Sequence, residues 1–304
     1  MKKRPIIRKQ RRGTELQDKK REKESEKQAP PVLYRYLSWM KPLQKRLLTE
    51  GEIYFSPPRS SNDPFDCQIC IDLNATAGEI RRYLSDVDKM PEHWYNLPPG
   101  LRNAGLRQQV MHLKTEKGRQ EVKLALLDGI NTGYGILSFA TCRSSLLMWA
   151  YYGDRHCGLC VGIDTSLLDQ FVSHLAGDIG SELRPVDYKA KYPLINPFKQ
   201  GFHPGDYAYK IPKIKSSDWK DEEEWRMIVF LHPNLSRAYV LPGGIIKEVI
   251  IGCRMPAQHQ EEVKQTIREN HPNVKLFRAR PSETDFVLEF DDITHELHTP
   301  PEEK

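Results

Sequence analysis

Three consecutive glutamates, Glu222, Glu223 and Glu224, stand directly in front of Trp225 and Arg226 in the stretch "DWKDEEEWRMIVF". If the following strand begins at Glu222, successive side chains alternate between its two faces. Glu222 and Glu224 would then lie about 7 Å apart on one face with Arg226 next in line, while Glu223 faces the other way. One interpretation is an acidic pair at the mouth of a cleft, kept ionised by the arginine. The other is a solvent-facing strand end with a cross-strand ion pair.

A second group of polar side chains lies in the predicted helix "SSLLMWAYYGD" and just after it. Trp149, Tyr152 and His156 each combine an aromatic ring with a polar atom that needs a partner. The end of a helix that leads into a strand is a common place for a binding site. A buried core helix explains Leu146 and Met148 equally well, so the residues alone leave both interpretations open.

A third candidate is the loop "FSPPRSSNDPFD", which follows the predicted second strand. Its Asn62-Asp63-Pro64 sequence is typical of a turn. The polar side chains of this loop, Asn62 among them, could also hold a ligand beside that strand. Turn and ligand site remain alternatives at this point.

The cysteines form two Cys-x-x-Cys pairs, Cys67 with Cys70 and Cys157 with Cys160. Four thiolates would suit a structural zinc ion. Each pair overlaps a predicted strand, however, where positions i and i+3 point to opposite faces. Cysteine is also common in protein cores. We therefore expect core cysteines and no metal.

The elements alternate irregularly between strands and helices along the 304 residues. The pattern predicts a single α+β domain over residues 31–293, with mixed, mainly antiparallel sheets and a helical insertion at about 76–130. Residues 294–304 are expected to be a loose tail. No apolar run is long enough to span a membrane, and the N-terminus does not resemble a signal peptide. We therefore expect a cytoplasmic protein with reduced cysteines and no membrane partner.

The basic residues are concentrated at the N-terminus. Residues 1–29 contain 12 Lys and Arg against 5 Asp and Glu, although the whole chain has a formal charge of only +5. The few apolar residues predict that residues 1–30 are disordered. Such an arm could contact nucleic acid. It could equally be a solvated tail without a dedicated partner.

Four segments resemble the bacterial family called domain of unknown function 2971. They are "LYRY", "FSPPRSSNDPFD", "MWAYYGDRHCG" and "WKDEEEWR", and their order and spacing match the family over residues 33–290. Family members often have His where this chain has Tyr151. The family is in turn distantly similar to the ADP-ribosyltransferases, which implies an ADP-ribosyltransferase-like fold. The implied layout is an Arg on the first strand, a middle motif, and a Glu-x-Glu on a later strand.

The resemblance implies cleavage of the nicotinamide–ribose bond of NAD and transfer of ADP-ribose to an unknown acceptor, either protein or nucleic acid. Glu224 would stabilise the positive charge that develops on the ribose, and Glu222 would orient or deprotonate the acceptor. The residues expected to bind NAD, the co-substrate, are Arg35, Tyr34, Asn62, Trp149, Tyr152, His156 and Arg226. A toxin or phage-defence role is plausible for such a family.

Two other functions remain open. The chain could be a non-enzymatic nucleotide- or nucleic-acid-binding module whose basic N-terminal arm supplies affinity. It could also be a hydrolase that uses the same carboxylates on another glycosidic bond. Salt-sensitive binding that survives Glu224→Gln would favour the first alternative over a transferase.

Overall fold

The computed structural model describes residues 28–85, 98–179, 181–200, 210–231 and 235–298. Within these ranges the chain is an α+β protein with mostly antiparallel sheets, which confirms the predicted fold class at that level. The strands of the two largest sheets are β1 (Val32–Leu37), β4 (Tyr134–Phe139), β5 (Leu159–Asp164), β6 (Ser181–Pro185), β10 (Trp225–Phe230), β12 (Ile246–Ile251), β13 (Lys275–Pro281) and β14 (Leu288–Asp292). The short strands are β2 (Glu52–Tyr54), β3 (Cys70–Ile71), β7 (Asp187–Lys189), β8 (Leu194–Ile195), β9 (Ile214–Ser216) and β11 (Ala238–Val240). The α-helices are α1 (Pro42–Thr49), α2 (Ala77–Leu84), α3 (Pro99–Leu113), α4 (Glu116–Gly133), α5 (Leu146–Tyr151), α6 (Thr165–Ile179) and α7 (Ala257–Asn270).

The larger sheet has five strands in the order β1-β5-β12-β13-β14, and only its β12–β13 pair is parallel. The smaller sheet has three strands in the order β4-β10-β6, with β10 antiparallel to both neighbours. Three two-stranded sheets complete the described topology: β2 with β11, β3 with β8, and β7 with β9. The last two of these are parallel.

The two main sheets meet where β1 passes the end of β4. Tyr34 and Ala140 form an isolated antiparallel bridge there, with N–H···O distances of 2.9 and 2.7 Å. This bridge brings β1 next to Ser138 of β4, which is paired in register with Arg226 of β10. The predicted glutamate strand and the first strand are therefore neighbours in space.

The main hydrophobic core follows from the alternation of apolar residues along these strands. Leu137 and Phe139 of β4, together with Met227 and Val229 of β10, belong to one cluster that also includes residues of β1, β5, β12 and α7. The opposite face of β10 carries Arg226 and Ile228, both fully buried under other parts of the chain. Both faces of β10 are thus covered, and the charged side chains at its start are enclosed in protein.

Several segments differ from the sequence predictions. The strand expected to overlap Cys67 and Cys70, "CQICIDL", is reduced to the two residues of β3, and Cys67 itself has a left-handed conformation with φ 54°. The segment "ELRPVDYKA", which has the composition of one strand, is divided into β6 and β7 at Val186, whose N–H donates to the carbonyl of Glu224. This break redirects the chain so that β7 pairs with β9.

The helical segment contains α2, α3 and α4, whose apolar residues form a separate small cluster around Ile80 and Phe198. At the C-terminus, Thr294–Leu297 forms a 3-10 helix in which Leu297 is buried and Glu296 pairs with Lys264 of α7. This part of the expected loose tail is therefore packed onto the domain. The basic tail of residues 1–27 and the last residues, 299–304, lie outside the described part. None of the described helices is both long and apolar enough to cross a membrane.

Candidate functional site

The site is organised around Lys215, the central residue of β9. Its register partner on β7 is Tyr188, so the two side chains lie beside each other. Ser216 then begins a 3-10 helix, Ser217–Glu222, by accepting a hydrogen bond from the N–H of Asp218. This short helix reverses the chain and carries Glu222 back towards Lys215.

Glu222 and Glu224 converge on the ammonium group of Lys215. Lys215 Nζ donates to Glu222 Oε2 and, over 3.0 Å, to Glu224 Oε2. Between them Glu223 adopts a left-handed conformation with φ 45°, and its exposed carboxylate accepts a hydrogen bond from Thr141. The left-handed residue therefore turns one carboxylate outward and leaves its two neighbours facing the same cation.

The strand predicted to begin at Glu222 in fact begins at Trp225, so strand alternation does not place these glutamates. Neither is solvent-facing, since Glu222 is 6% exposed and Glu224 is 4% exposed. The interpretation as an exposed strand end is therefore wrong. The expectation that Glu222 and Glu224 share one side and Glu223 points away agrees with the structure, for a different physical reason.

Arg226 closes the inner side of the cluster. Its Nε and Nη2 donate to the two oxygens of Glu224 at 2.7 and 3.0 Å. Its Nη1 and Nη2 donate to the two oxygens of Asp66 at 3.0 and 2.7 Å, and Nη1 also donates to the carbonyl of Pro212. All five N–H groups of the guanidinium are thus used. Arg226 is also only 1% exposed, and its contacts hold Glu224 in position. Contact between Arg226 and a cofactor stays a prediction.

The buried charges of this cluster do not cancel. Three carboxylates, on Asp66, Glu222 and Glu224, face two cations, on Lys215 and Arg226, so the fully ionised cluster carries one excess negative charge. We call these five residues the charge cluster. An excess charge in a buried cluster shifts the pKa of the member that is least well compensated.

The two glutamates differ in their pKa because their partners differ. Burial alone would raise the pKa of Glu224, but the charges of Arg226 and Lys215 outweigh it and lower the pKa to about 2. Burial raises the pKa of Glu222, and Lys215 compensates this only in part. The expectation that Arg226 keeps both carboxylates ionised therefore holds for Glu224 alone. Of the two glutamates, Glu222 is the one that takes up a proton more readily.

Glu222 connects the buried cluster to less buried side chains. Its Oε1 accepts a hydrogen bond of 2.9 Å from the hydroxyl of Tyr152, which lies 3.4 Å from Oδ1 of the exposed Asn62. The half-buried ring of Trp219 lies 5.3 Å from Lys215 Nζ and packs edge-on against the exposed Tyr151. The rim of the site is therefore aromatic and amide in character, with Glu222 at its inner edge.

Arg35 approaches the same place from β1. Its Nη1 donates to the carbonyl of Ser138 at 2.9 Å, and the exposed hydroxyl of Ser138 hydrogen-bonds to Glu224. Burial lowers the pKa of Arg35 to about 10. Within the described ranges the guanidinium forms no ion pair, so it is a partly desolvated cation beside the charge cluster.

Three predicted residues lie elsewhere. Tyr34 points to the opposite face of its sheet, where burial and a hydrogen bond with Glu248 raise its pKa. Trp149 is fully buried and its Nε1 donates to the carbonyl of Arg143, so its ring presents no exposed face to NAD in this structure. His156 stacks on Trp149, with ring centroids 6.0 Å apart, and lines a cavity that includes no residue of the charge cluster.

The cysteines lie apart from the charge cluster, except for Cys67. Burial raises the pKa of the Cys67 thiol, and Arg226 Nη1 lies 3.5 Å from its sulfur. Cys160 is also buried, while Cys70 is exposed. Across the described residues, no three or more His, Cys, Asp and Glu side chains are arranged to hold a metal ion.

Sequence reasoning missed Lys215, Asp66 and Trp219. Asp66 and Trp219 lie within the quoted segments "FSPPRSSNDPFD" and "WKDEEEWR", so the motif itself could have indicated them. Lys215 stands in "KIPKIKSSD" among other lysines, and no spacing distinguishes it from an exposed residue. In the folded chain, all four segments that carry the family resemblance contribute to this one location.

Comparison with known proteins supports part of this picture. No curated protein and no solved structure matches the chain. Residues 148–227, about a quarter of the chain, match the model of the family described as "protein of unknown function (DUF2971)". This segment contains Tyr152, Lys215, Glu222, Glu224 and Arg226, whereas Arg35 and Asp66 lie outside it.

Proposed function

We propose that the protein is an ADP-ribosyltransferase-like enzyme that cleaves the bond between nicotinamide and ribose in NAD and transfers ADP-ribose to an acceptor. The observation that carries the proposal is the charge cluster with its one excess negative charge. That excess is associated with Glu222, the carboxylate next to the accessible rim formed by Tyr152 and Asn62. A buried site that lacks one positive charge favours a ligand or transition state that supplies it.

Cleavage of NAD develops such a charge. The C–N bond breaks with its electron pair going to the pyridine nitrogen, which leaves neutral nicotinamide and an oxocarbenium-like ribose. Glu222 would stabilise that cation, and its carboxylate would then accept the proton released by the attacking acceptor. This reverses the roles expected from sequence, because Glu224 is bound by Arg226 and Lys215 on both oxygens. Glu224 is a positioning residue in this proposal.

The rim residues suit the remaining parts of NAD. Arg35 has the charge to bind a phosphate, and among the described residues its guanidinium has one hydrogen-bond partner, the carbonyl of Ser138. Trp219 and Tyr151 offer exposed aromatic surface for a planar ring, in place of the buried Trp149. The acceptor class is left open, because the described rim contains no feature specific to protein or to nucleic acid.

The test is the release of nicotinamide from NAD by wild type, Glu222→Gln and Glu223→Gln. We expect Glu222→Gln to fold, to bind NAD in calorimetry, and to lose at least about a hundredfold in nicotinamide release. Glu223→Gln is the matched control, since its carboxylate is exposed and faces Thr141, and it should retain activity.

Two results would count against the proposal. Equal activity of wild type and Glu222→Gln would remove the carboxylate from the chemistry. Binding of NAD by wild type without any nicotinamide release would instead favour the non-enzymatic nucleotide-binding alternative.

A further inference from the structure

A cavity lies away from the charge cluster. It has a volume of about 570 Å³ and opens between the start of α5, the turn at His156, the segment after β12, and the β13–β14 hairpin. None of its lining residues belongs to the charge cluster or its rim. The volume falls in the range of small-molecule sites, which is about 300–1,000 Å³.

One side of this cavity is apolar. Leu146 is the first residue of α5, and Pro281 and Leu288 are the paired residues at the ends of β13 and β14. Phe286 stands at the hairpin tip and is 99% exposed. We call these four residues the apolar wall. Covering a fully exposed phenylalanine beside other apolar side chains is favourable, because a ligand removes its apolar surface from water.

The other side of the cavity carries two nitrogen-containing side chains, those of His156 and Arg254. His156 ends a turn in which Asp154, Arg155 and His156 have φ values of 51°, 53° and 68°. Such a run of left-handed residues is costly for residues other than glycine. The turn is fixed by hydrogen bonds from His156 N–H to the carbonyl of Trp149 and from Arg254 N–H to the carbonyl of His156. Gly252 lets the chains approach, since a Cβ there would lie 2.3 Å from the carbonyl oxygen of His156.

Arg254 and the ring of His156 have unused hydrogen-bonding capacity within the described ranges. Nδ1 of His156 is enclosed by protein and has no hydrogen-bond partner there, so Nε2 is the ring nitrogen left to contact a ligand in the cavity. Burial and the charge of Arg254 lower the pKa of His156, so the imidazole ring is uncharged at neutral pH. Arg254 is therefore the cation on this side of the cavity. Arg254 is exposed and forms no ion pair with any residue in the described ranges.

The acidic residues of the hairpin tip have partners close by. Asp285 accepts a hydrogen bond from Thr284 at 2.8 Å. Glu283 belongs to the carboxylates that raise the pKa of Arg280. These contacts do not cancel the charges of the two carboxylates, which line the cavity on its hairpin side. Arg254 and His156, on the opposite side, are the lining groups that can donate hydrogen bonds to a negative head group.

We propose that this cavity binds a small organic anion whose carboxylate or phosphate head contacts Arg254 and His156. The body of the ligand is apolar or aromatic, and it packs against the apolar wall under Phe286. This site is independent of the proposed NAD chemistry.

The experiment uses 4-phenylbutyrate as the carboxylate probe and phenyl phosphate as the phosphate probe, titrated calorimetrically into the full-length protein. The neutral amide 4-phenylbutyramide has the same body without the charge. We expect saturable binding of at least one anion at millimolar concentrations and weaker binding of the amide. The tighter of the two anions identifies the head group.

Variants test the location. Arg254→Gln should weaken anion binding by at least about tenfold, and Phe286→Ser should weaken both the anions and the amide. Both positions are exposed, so unchanged melting temperatures are expected. Arg155→Gln removes the same charge from the adjacent turn without lining the cavity and should leave binding unchanged. Absence of saturable binding, equal binding of the amide, or equal effects of Arg254→Gln and Arg155→Gln would overturn the proposal.

Discussion

Replacing Lys215 with methionine tests the charge cluster most directly. Methionine fills nearly the same volume as the lysine stem but removes the cation that Glu222 and Glu224 share. The cluster would then carry two excess negative charges instead of one. Removing one partner from a buried ion pair typically costs about 3–5 kcal/mol, because the other charge stays buried.

The structure sets a limit on that cost. Glu224 keeps both hydrogen bonds from Arg226, so the carboxylate left without a cation is Glu222. Glu222 can escape by binding a proton. Protonating a glutamate side chain of ordinary pKa 4.5 at pH 7 costs about 3 kcal/mol relative to its ionised form. This follows from about 1.4 kcal/mol for each pH unit above the pKa. We therefore expect Lys215→Met to lower the free energy of unfolding by about 3 kcal/mol at pH 7.

The sign of the pH dependence follows from the same reasoning. In the variant the folded state binds a proton at Glu222 more tightly than the unfolded state does. The stability of the variant relative to wild type should therefore rise as the pH falls from 7 towards 4.5, where the penalty is largely lost. Urea denaturation at pH 7 and pH 5, followed by fluorescence, measures both values.

The double variant Lys215→Met/Glu222→Gln is the control. It removes the uncompensated charge, so it should recover most of the lost stability at pH 7. A loss below about 1 kcal/mol at pH 7 for Lys215→Met would refute the reasoning, because it would mean that the lysine is not shared by buried carboxylates. A loss that is the same at both pH values would point to packing rather than charge.

Two further predictions concern neighbouring residues. Glu224 has a pKa of about 2 in the folded protein against 4.5 ordinarily, so it should contribute about 3 kcal/mol above pH 4.5 that is lost as the pH falls through 2. The difference in unfolding free energy between wild type and Glu224→Gln should shrink accordingly between pH 5 and pH 2, and a constant difference would contradict it. Trp219→Ala should weaken NAD binding about three- to tenfold with little loss of stability, whereas Trp149→Ala should cost about 3–5 kcal/mol of stability. Unchanged NAD affinity in Trp219→Ala, measured calorimetrically beside Trp219→Phe, would exclude Trp219 from the site.

The sequence was informative where a local pattern determines structure. A strand was predicted after the glutamates and another overlapping Cys160, and β10 and β5 lie there, both packed into the core. Helices were likewise predicted in the segment that contains α2 to α4. The pattern failed around β3 and at Val186, where the left-handed Cys67 precedes a strand of only two residues and a break follows Pro185. Neither Cys67 nor Val186 is a residue whose type signals such a change.

The site was predictable only in part because its key contacts are non-local. Asp66 and Arg226 form an ion pair across 160 positions of the chain, and Tyr152 reaches Glu222 across 70. No spacing rule connects residues at such distances. The exposure of the two tryptophans could not be predicted for the same reason. Trp149 and Trp219 both stand in family-like segments, and only the packing determines that the first is buried and the second is half-exposed.

The charge cluster is difficult to explain by stability alone. Apolar residues of similar volume often stabilise a protein as well as or better than a buried ion pair does. A set of five buried charged residues with one carboxylate in excess is less favourable still, since two of the carboxylates must share the single charge of Lys215. Such local conflicts with the rules of folding are concentrated at functional sites. The excess lies on Glu222, the member that contacts the rim through Tyr152, so the imbalance sits where a ligand could neutralise it. A cluster built only to join β9 to β10 would need Lys215, Glu224 and Arg226 but not a second glutamate on Lys215.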